Sequence, residues 1–255
     1  MRLTSLACAA SVLMLAACSQ SDAPSEELGL AAEELVDSVL DTPVATEEAP
    51  LGPLAPRDEC TTLDGAEDFL AMFKGAVATR DTAVLVALTA EDVKLGFGGN
   101  DGADVLRADL EAEGSTLWYE LEKITLLGCA ANDFGGLTMP WYFAQDFKGD
   151  AFETYIVTTD DGPLHAEPRE SSARLAILNW QEVRLRFGED GTMLVGGNPE
   201  VREESWIGVS VPGERGEEPM NGFIRATQLR SLVDYRMLAS SRNGRWRITA
   251  ILAGD

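Results

Sequence analysis

Apolar residues recur at helical spacing in the first half of the chain and in short runs in the second. Ala66, Phe69, Leu70, Phe73 and Val77 fall at i, i+3, i+4, i+7 and i+11, which predicts one amphipathic helix. Asp64-Gly65-Ala66-Glu67 reads as its N-cap, with an acid in the first turn. Asp81 opens a second helix that carries Val84, Leu85 and Leu88, and "VKLGF" reads as a short strand running into the turn Gly98-Gly99-Asn100-Asp101-Gly102. A third helix holds Val105, Leu106 and Leu110 and stops at Gly114. Ser115 caps a fourth, with Leu117, Leu121 and Ile124 on one stripe and Gly128 at its end.

From about residue 134 the pattern changes to short apolar runs broken by turn residues, which predicts strands. Candidates are "TYIVTT", "ARLAIL", "EVRLRF", "WIGVSV" and "GFIRA", followed by "DYRMLASSR" and "RWRITAILA". The last two are joined by Asn243-Gly244, the strongest short hairpin signal, and such a hairpin needs an existing sheet to pair with. The expected class is α+β.

The N-terminus has a different pattern. Arg2 precedes an uncharged apolar run from Leu6 to Ala17, too short to span a bilayer as a helix. Leu15-Ala16-Ala17-Cys18 resembles the lipobox of bacterial lipoproteins. That resemblance implies a signal peptide at 1–17, cleavage before Cys18 and attachment of lipid, palmitate among the acyl groups, to its thiol. The competing reading is an ordinary export signal in which Cys18 is incidental. Ser19, in place of an Asp, favours the outer membrane, with the protein facing the periplasm.

Residues 18–58 read as an acidic tether, with Arg57 its sole base and prolines at 24, 43, 50, 53 and 56. Within it, Leu28, Ala32, Leu35 and Val39 form a stripe that predicts a short amphipathic helix over about 25–40. It either docks on the folded part or on a partner, or forms transiently, since isolated helices of this length are marginal.

Charge narrows the function classes. The chain carries 43 acidic and 20 basic residues, a net charge of −23. Such a surface repels phosphate backbones, so nucleic acid is not an expected partner. Without a polybasic patch, membrane contact is expected through the lipid anchor. Removing Cys8 with the leader and lipidating Cys18 leaves Cys60 and Cys129 in an oxidising compartment, where two thiols pair to a disulfide or stay buried and independent.

Two family resemblances follow. "TTDDGPLHAEPRESSARLAILNWQEVRLRF", "SWIGVSVPG" and "NGFIRATQL" together resemble a bacterial Src-homology-3 domain, with Leu164, Pro168, Ser171, Ser172, Val183, Trp206, Val209, Gly222, Phe223 and Ile224 in the family's places. His165 departs from it, where arginine is usual, and the loops at 187–205 and 211–221 are longer. The resemblance implies a small β-barrel that binds peptides, cell-wall peptides among them. "FLAMFKGAVATRD", "LVALTAED" and "YRMLASSRNGRWRITAILAGD" are similar to nuclear transport factor 2-like domains, which implies a cone-like α+β fold. The expected organisation is therefore an α+β domain at 59–156 plus 232–255, interrupted by a Src-homology-3-like barrel at 157–231.

Catalytic signals are weak throughout. His165 is the sole histidine and reads as a surface or edge-strand residue, without the partners of a triad. "GGNDG" lacks a phosphate-loop lysine and reads as a tight turn with Asn100 or Asp101 as helix cap. The carboxylate pairs Asp160/Asp161, Glu189/Asp190 and Glu203/Glu204 are what an acidic chain shows anyway. Trp206 and Trp246 read as core anchors, and Trp141, Tyr142 and Phe143 as packing at a domain junction or the lining of a pocket. No cofactor, metal or catalytic residue is expected. The expected function is non-enzymatic: an envelope lipoprotein that binds peptidoglycan peptide or an envelope protein. The alternatives are a small-molecule or catalytic pocket in the cone, and a structural subunit of an envelope assembly.

Overall fold

A computed structural model describes residues 51–213 and 217–254. Cys18, the leader and the helix expected at 25–40 lie outside the described residues. Among the described residues, four α-helices and thirteen strands make an α+β fold in which strand predominates.

The first layer opens with α1 (Ala66–Thr79), α2 (Thr82–Ala87), β1 (Thr89–Lys94), α3 (Ala103–Glu111) and α4 (Leu117–Thr125). β2 (Ala130–Ala131) and β3 (Gly136–Met139) follow, and the layer is completed by β12 (Arg236–Arg242) and β13 (Arg245–Leu252) at the far end of the chain. Its sheet runs β1-β13-β12-β3-β2, with β1 parallel to β13 and the other pairs antiparallel. The predicted hairpin is therefore the middle of the sheet, closed by Asn243 (φ 57°) and Gly244 (φ 73°) in the left-handed region that a two-residue turn requires.

The helices cover one face of this sheet. Phe69, Phe73, Leu106, Leu121, Leu137, Met139 and Ile248 are buried between them, each contributing about 1.5–3 kcal/mol by leaving water. Trp246 stacks on Phe69 with ring centroids 5.9 Å apart and donates its indole N–H to Asp64 O at 2.9 Å.

The caps differ in detail from the sequence expectation. Asp81 caps α2 as expected, accepting from Val84 N at 3.0 Å. Gly65, not Asp64, occupies the N-cap of α1 in a left-handed conformation. Asp101 does not cap α3 either: its carboxylate turns back to accept from Leu95 N at 2.9 Å and pairs with Lys94 Nζ at 2.7 Å. That pair and the Leu95 N–H hold the Asp101 carboxyl below its usual range, with the Lys94 bond the larger cause.

Eight strands, β4 (Thr154–Val157), β5 (Gly162–His165), β6 (Arg174–Leu178), β7 (Glu182–Leu185), β8 (Val195–Gly197), β9 (Ser205–Val211), β10 (Met220–Arg225) and β11 (Leu229–Ser231), fall between β3 and β12 and form a second sheet. Its order is β11-β4-β7-β9-β10-β5-β6, with β8 paired to β9. Val157, Leu164, Val183, Val209 and Ile224 form its own core. The sheet is not the closed barrel expected from sequence. Its edge strands, β11 and β6, do not pair with each other, and β6 reaches β7 through three residues, Asn179–Gln181, with Trp180 at φ 38°. Backbone bonds from Trp180 N to Thr159 O at 3.1 Å and from Val157 N to Gln181 O at 3.0 Å hold this connection against the end of β4.

A third cluster joins the layers: Leu127, Ala130, Trp141, Tyr142, Ile156 and Leu232, with Leu54 and Phe143 beside them. Residues 51–58 fall in the expected tether, yet Leu54 packs here as well and Ala55 is buried. Leu54 N donates to Trp180 O at 2.7 Å, and Cys129 N to Arg57 O at 2.7 Å. Gly128 (φ 73°) permits that approach, since a Cβ there would lie 2.3 Å from Arg57 O. The Cys60–Cys129 disulfide fixes the same segment, with Cα atoms 5.7 Å apart.

Candidate functional site

On α4, Trp118, Leu121 and Ile124 turn inward, which leaves Tyr119 and Lys123 one turn apart on the opposite face. That face looks toward the second sheet across a cavity of about 360 Å³. Leu126 and Leu127 extend the wall beyond the helix. Thr158, Trp180, Thr227 and Leu229 come from the sheet, and Arg202, Arg230 and Asp234 bring charge. The volume falls within the range of small-ligand sites, and the walls mix apolar surface with a few polar groups as such sites do.

Arg230 is the deepest cation, 6 % exposed. Its Nη2 donates to Tyr235 O at 2.9 Å and its Nη1 lies 3.8 Å from Glu120 Oε2. Its Nε lies 3.5 Å from Asp234 Oδ2 and makes no hydrogen bond. Lys123 Nζ approaches the same Glu120 oxygen to 2.6 Å and sits over the Tyr119 ring at 4.6 Å. Arg202 donates to Leu229 O at 2.7 Å and pairs with no carboxylate among the described residues. Three cations thus face two acids, and the cavity is a positive spot on a chain of net charge −23. Beneath it, burial pushes the Tyr142 phenol well above the usual tyrosine range, with the Arg230 charge acting in the opposite sense.

Trp180 forms one wall under constraint. A bulky residue at φ 38° costs on the order of 1–3 kcal/mol and persists where its surroundings fix it. Here they include the backbone bonds already described and an indole N–H that donates to Asp160 Oδ1 at 2.6 Å. The ring is thereby held half-exposed at the cavity.

The residues singled out from sequence lie elsewhere. His165 corrects the expectation of a surface or edge position: β5 lies between β10 and β6, and the side chain is fully buried. Its Nδ1 is 3.4 Å from Ser172 Oγ, its Nε2 is 3.9 Å from Glu170 Oε2, and its ring meets Trp206 edge-on at 5.1 Å. Arg225 stacks on Trp206 at 4.2 Å and holds Glu170 through Nε and Nη2 at 3.0 and 2.8 Å. The Ser172 hydroxyl donates to Glu167 O at 3.0 Å. The group clamps the 166–173 turn and gives a nucleophile neither a free hydroxyl nor a base that substrate could reach.

Trp141 and Tyr142 are buried in the junction cluster, Trp141 beneath Arg57 at 4.5 Å, and Phe143 lies beneath Arg236 at 4.3 Å. They pack the two layers together and do not line the cavity. Asp160 and Asp190 serve turns and an indole, by accepting from Trp180 and Thr192. Asp58 lies near Cys60 and Cys129, whose sulfurs are bonded to each other and offer no thiolate to a metal.

The cavity was missed from sequence because its residues are scattered from 119 to 234, with no shared motif. The nearest signal was Trp180 between two predicted strands, where a turn residue would be usual. No family model matches the chain, and no curated protein matches it.

Proposed function

We propose that this chain is a non-enzymatic binding protein of the bacterial envelope, anchored through lipid on Cys18 at the outer membrane, whose cavity takes a carboxylate-bearing cell-wall peptide. The observation that carries the reading is the set Lys123, Arg202 and Arg230 around apolar walls in an otherwise acidic chain. A peptide with a short aliphatic body and free carboxylates matches both features. The apolar part lies against Trp180, Tyr119 and Leu229, and the carboxylate takes the guanidinium N–H groups that Arg202 does not use on Leu229 O. Desolvation in a concave site strengthens that contact over its value in water.

The resemblance of 157–231 to bacterial Src-homology-3 domains supports a peptide as the ligand class, and the lipobox resemblance supports the compartment. Calorimetric titration of the whole chain with soluble peptide released from peptidoglycan tests the reading. Saturable binding that the K123Q/R202Q double variant weakens about 10-fold or more supports it. Equal binding by parent and variant, or none by either, overturns it.

A further inference from the structure

The first sheet has a second face, turned away from the helices. Side chains alternate along β13, so Trp246 and Ile248 enter the core while Arg245, Arg247 and Thr249 point the other way. Across the hairpin, Arg242 stands opposite Arg245 and Ser240 opposite Arg247. On the other flank, β1 contributes Ala90, Asp92 and Lys94. Together they line a cavity of about 360 Å³ that shares no residue with the first.

The charges here are arranged against the local interest of the fold. Like charges directly opposite on paired strands destabilise a sheet. A chain with 43 acids nevertheless places two arginines face to face and a third two residues on. None of the three pairs with a carboxylate among the described residues, and Arg247 Nη1 is bonded to Trp246 O at 3.1 Å. Lys94, by contrast, is held by Asp101. An external anion would relieve the repulsion.

We infer that this face is a docking surface for an acidic, extended peptide segment of a partner protein. The spacing selects the class. Arg245 and Arg247 are two residues apart on one strand, roughly 6.6–6.8 Å along it, and Arg242 lies one strand over, at about 4.8 Å. Acids at alternate positions of an extended peptide repeat the first spacing, and the Ser240 and Thr249 hydroxyls add donors between the cations. Long polyanions and charged bilayers meet the field of the whole −23 chain, whereas a short peptide brings only the few charges that the arginines neutralise.

The test is fluorescence anisotropy of a fluorescein-labelled peptide of alternating Glu and Ser, titrated with the whole chain at low and physiological salt. Binding that weakens with salt, falls about 10-fold or more in R242Q/R245Q/R247Q and is unchanged in K123Q/R202Q is the expected result. The triple variant should melt at or above the parent temperature, because it loses the cross-strand repulsion. Equal affinity for a control peptide with Lys in place of each Glu, no binding at all, or displacement of the peptide by phosphatidylglycerol vesicles or inorganic phosphate would each overturn the inference.

Discussion

Glu120 Oε2 lies 2.6 Å from Lys123 Nζ and 3.8 Å from Arg230 Nη1, so one carboxylate restrains two of the three cations at the first cavity. Glu120→Gln should therefore act in two directions. Freed cations raise affinity for a carboxylate ligand several-fold, while loss of the buried partner lowers stability by about 1–3 kcal/mol. Titration with cell-wall peptide and chemical denaturation measure the two effects on the same sample. A variant that loses affinity would show that Glu120 itself contacts the ligand.

Tyr142 gives a pH signature. Its phenol is raised in the folded chain by burial, above a value of about 10 in the unfolded chain. Below pH ~10 both states hold the proton and the contribution to stability is complete. As pH climbs further the unfolded chain releases the proton first, so stability falls with pH. Denaturation midpoints measured upward from pH ~9 should decline in the parent and decline less in Tyr142→Phe.

The Cys60–Cys129 bond ties the segment before α1 to the start of β2 across a sequence separation of 69. Thiol labelling of the denatured, unreduced protein should find neither cysteine. Replacing both by serine should lower stability by about 2–5 kcal/mol, read as a shift in denaturant midpoint.

His165 is a structural group in this account. His165→Ala leaves a cavity against Trp206 and releases Glu170 and Ser172, at a cost of about 2–4 kcal/mol. Hydrogen exchange should speed up over 166–173, and peptide binding at the first cavity should stay intact once the protein is folded.

Much of the fold was legible because local chemistry and tertiary structure agree. The stripe from Ala66 to Val77 became α1, and Asn243-Gly244 became the turn between β12 and β13. β3 escaped detection because all four of its residues are buried and show no alternation. His165 was misplaced because its burial depends on Phe223 pairing opposite it, a long-range register that no local pattern encodes. The open second sheet was not legible because whether β6 meets β11 depends on long-range pairing that no local pattern encodes. The candidate site was almost wholly illegible: Lys123, Arg202 and Arg230 stand on separate elements and converge only after both sheets have formed.

The most direct measurement is co-sedimentation of the whole chain with isolated peptidoglycan sacculi, beside the K123Q/R202Q variant and sacculi stripped of their peptides. The parent should pellet with intact sacculi, while the variant and the stripped sacculi give little or no pelleting. Equal pelleting of parent and variant, or pelleting that survives removal of the peptides, would contradict peptide binding at the first cavity.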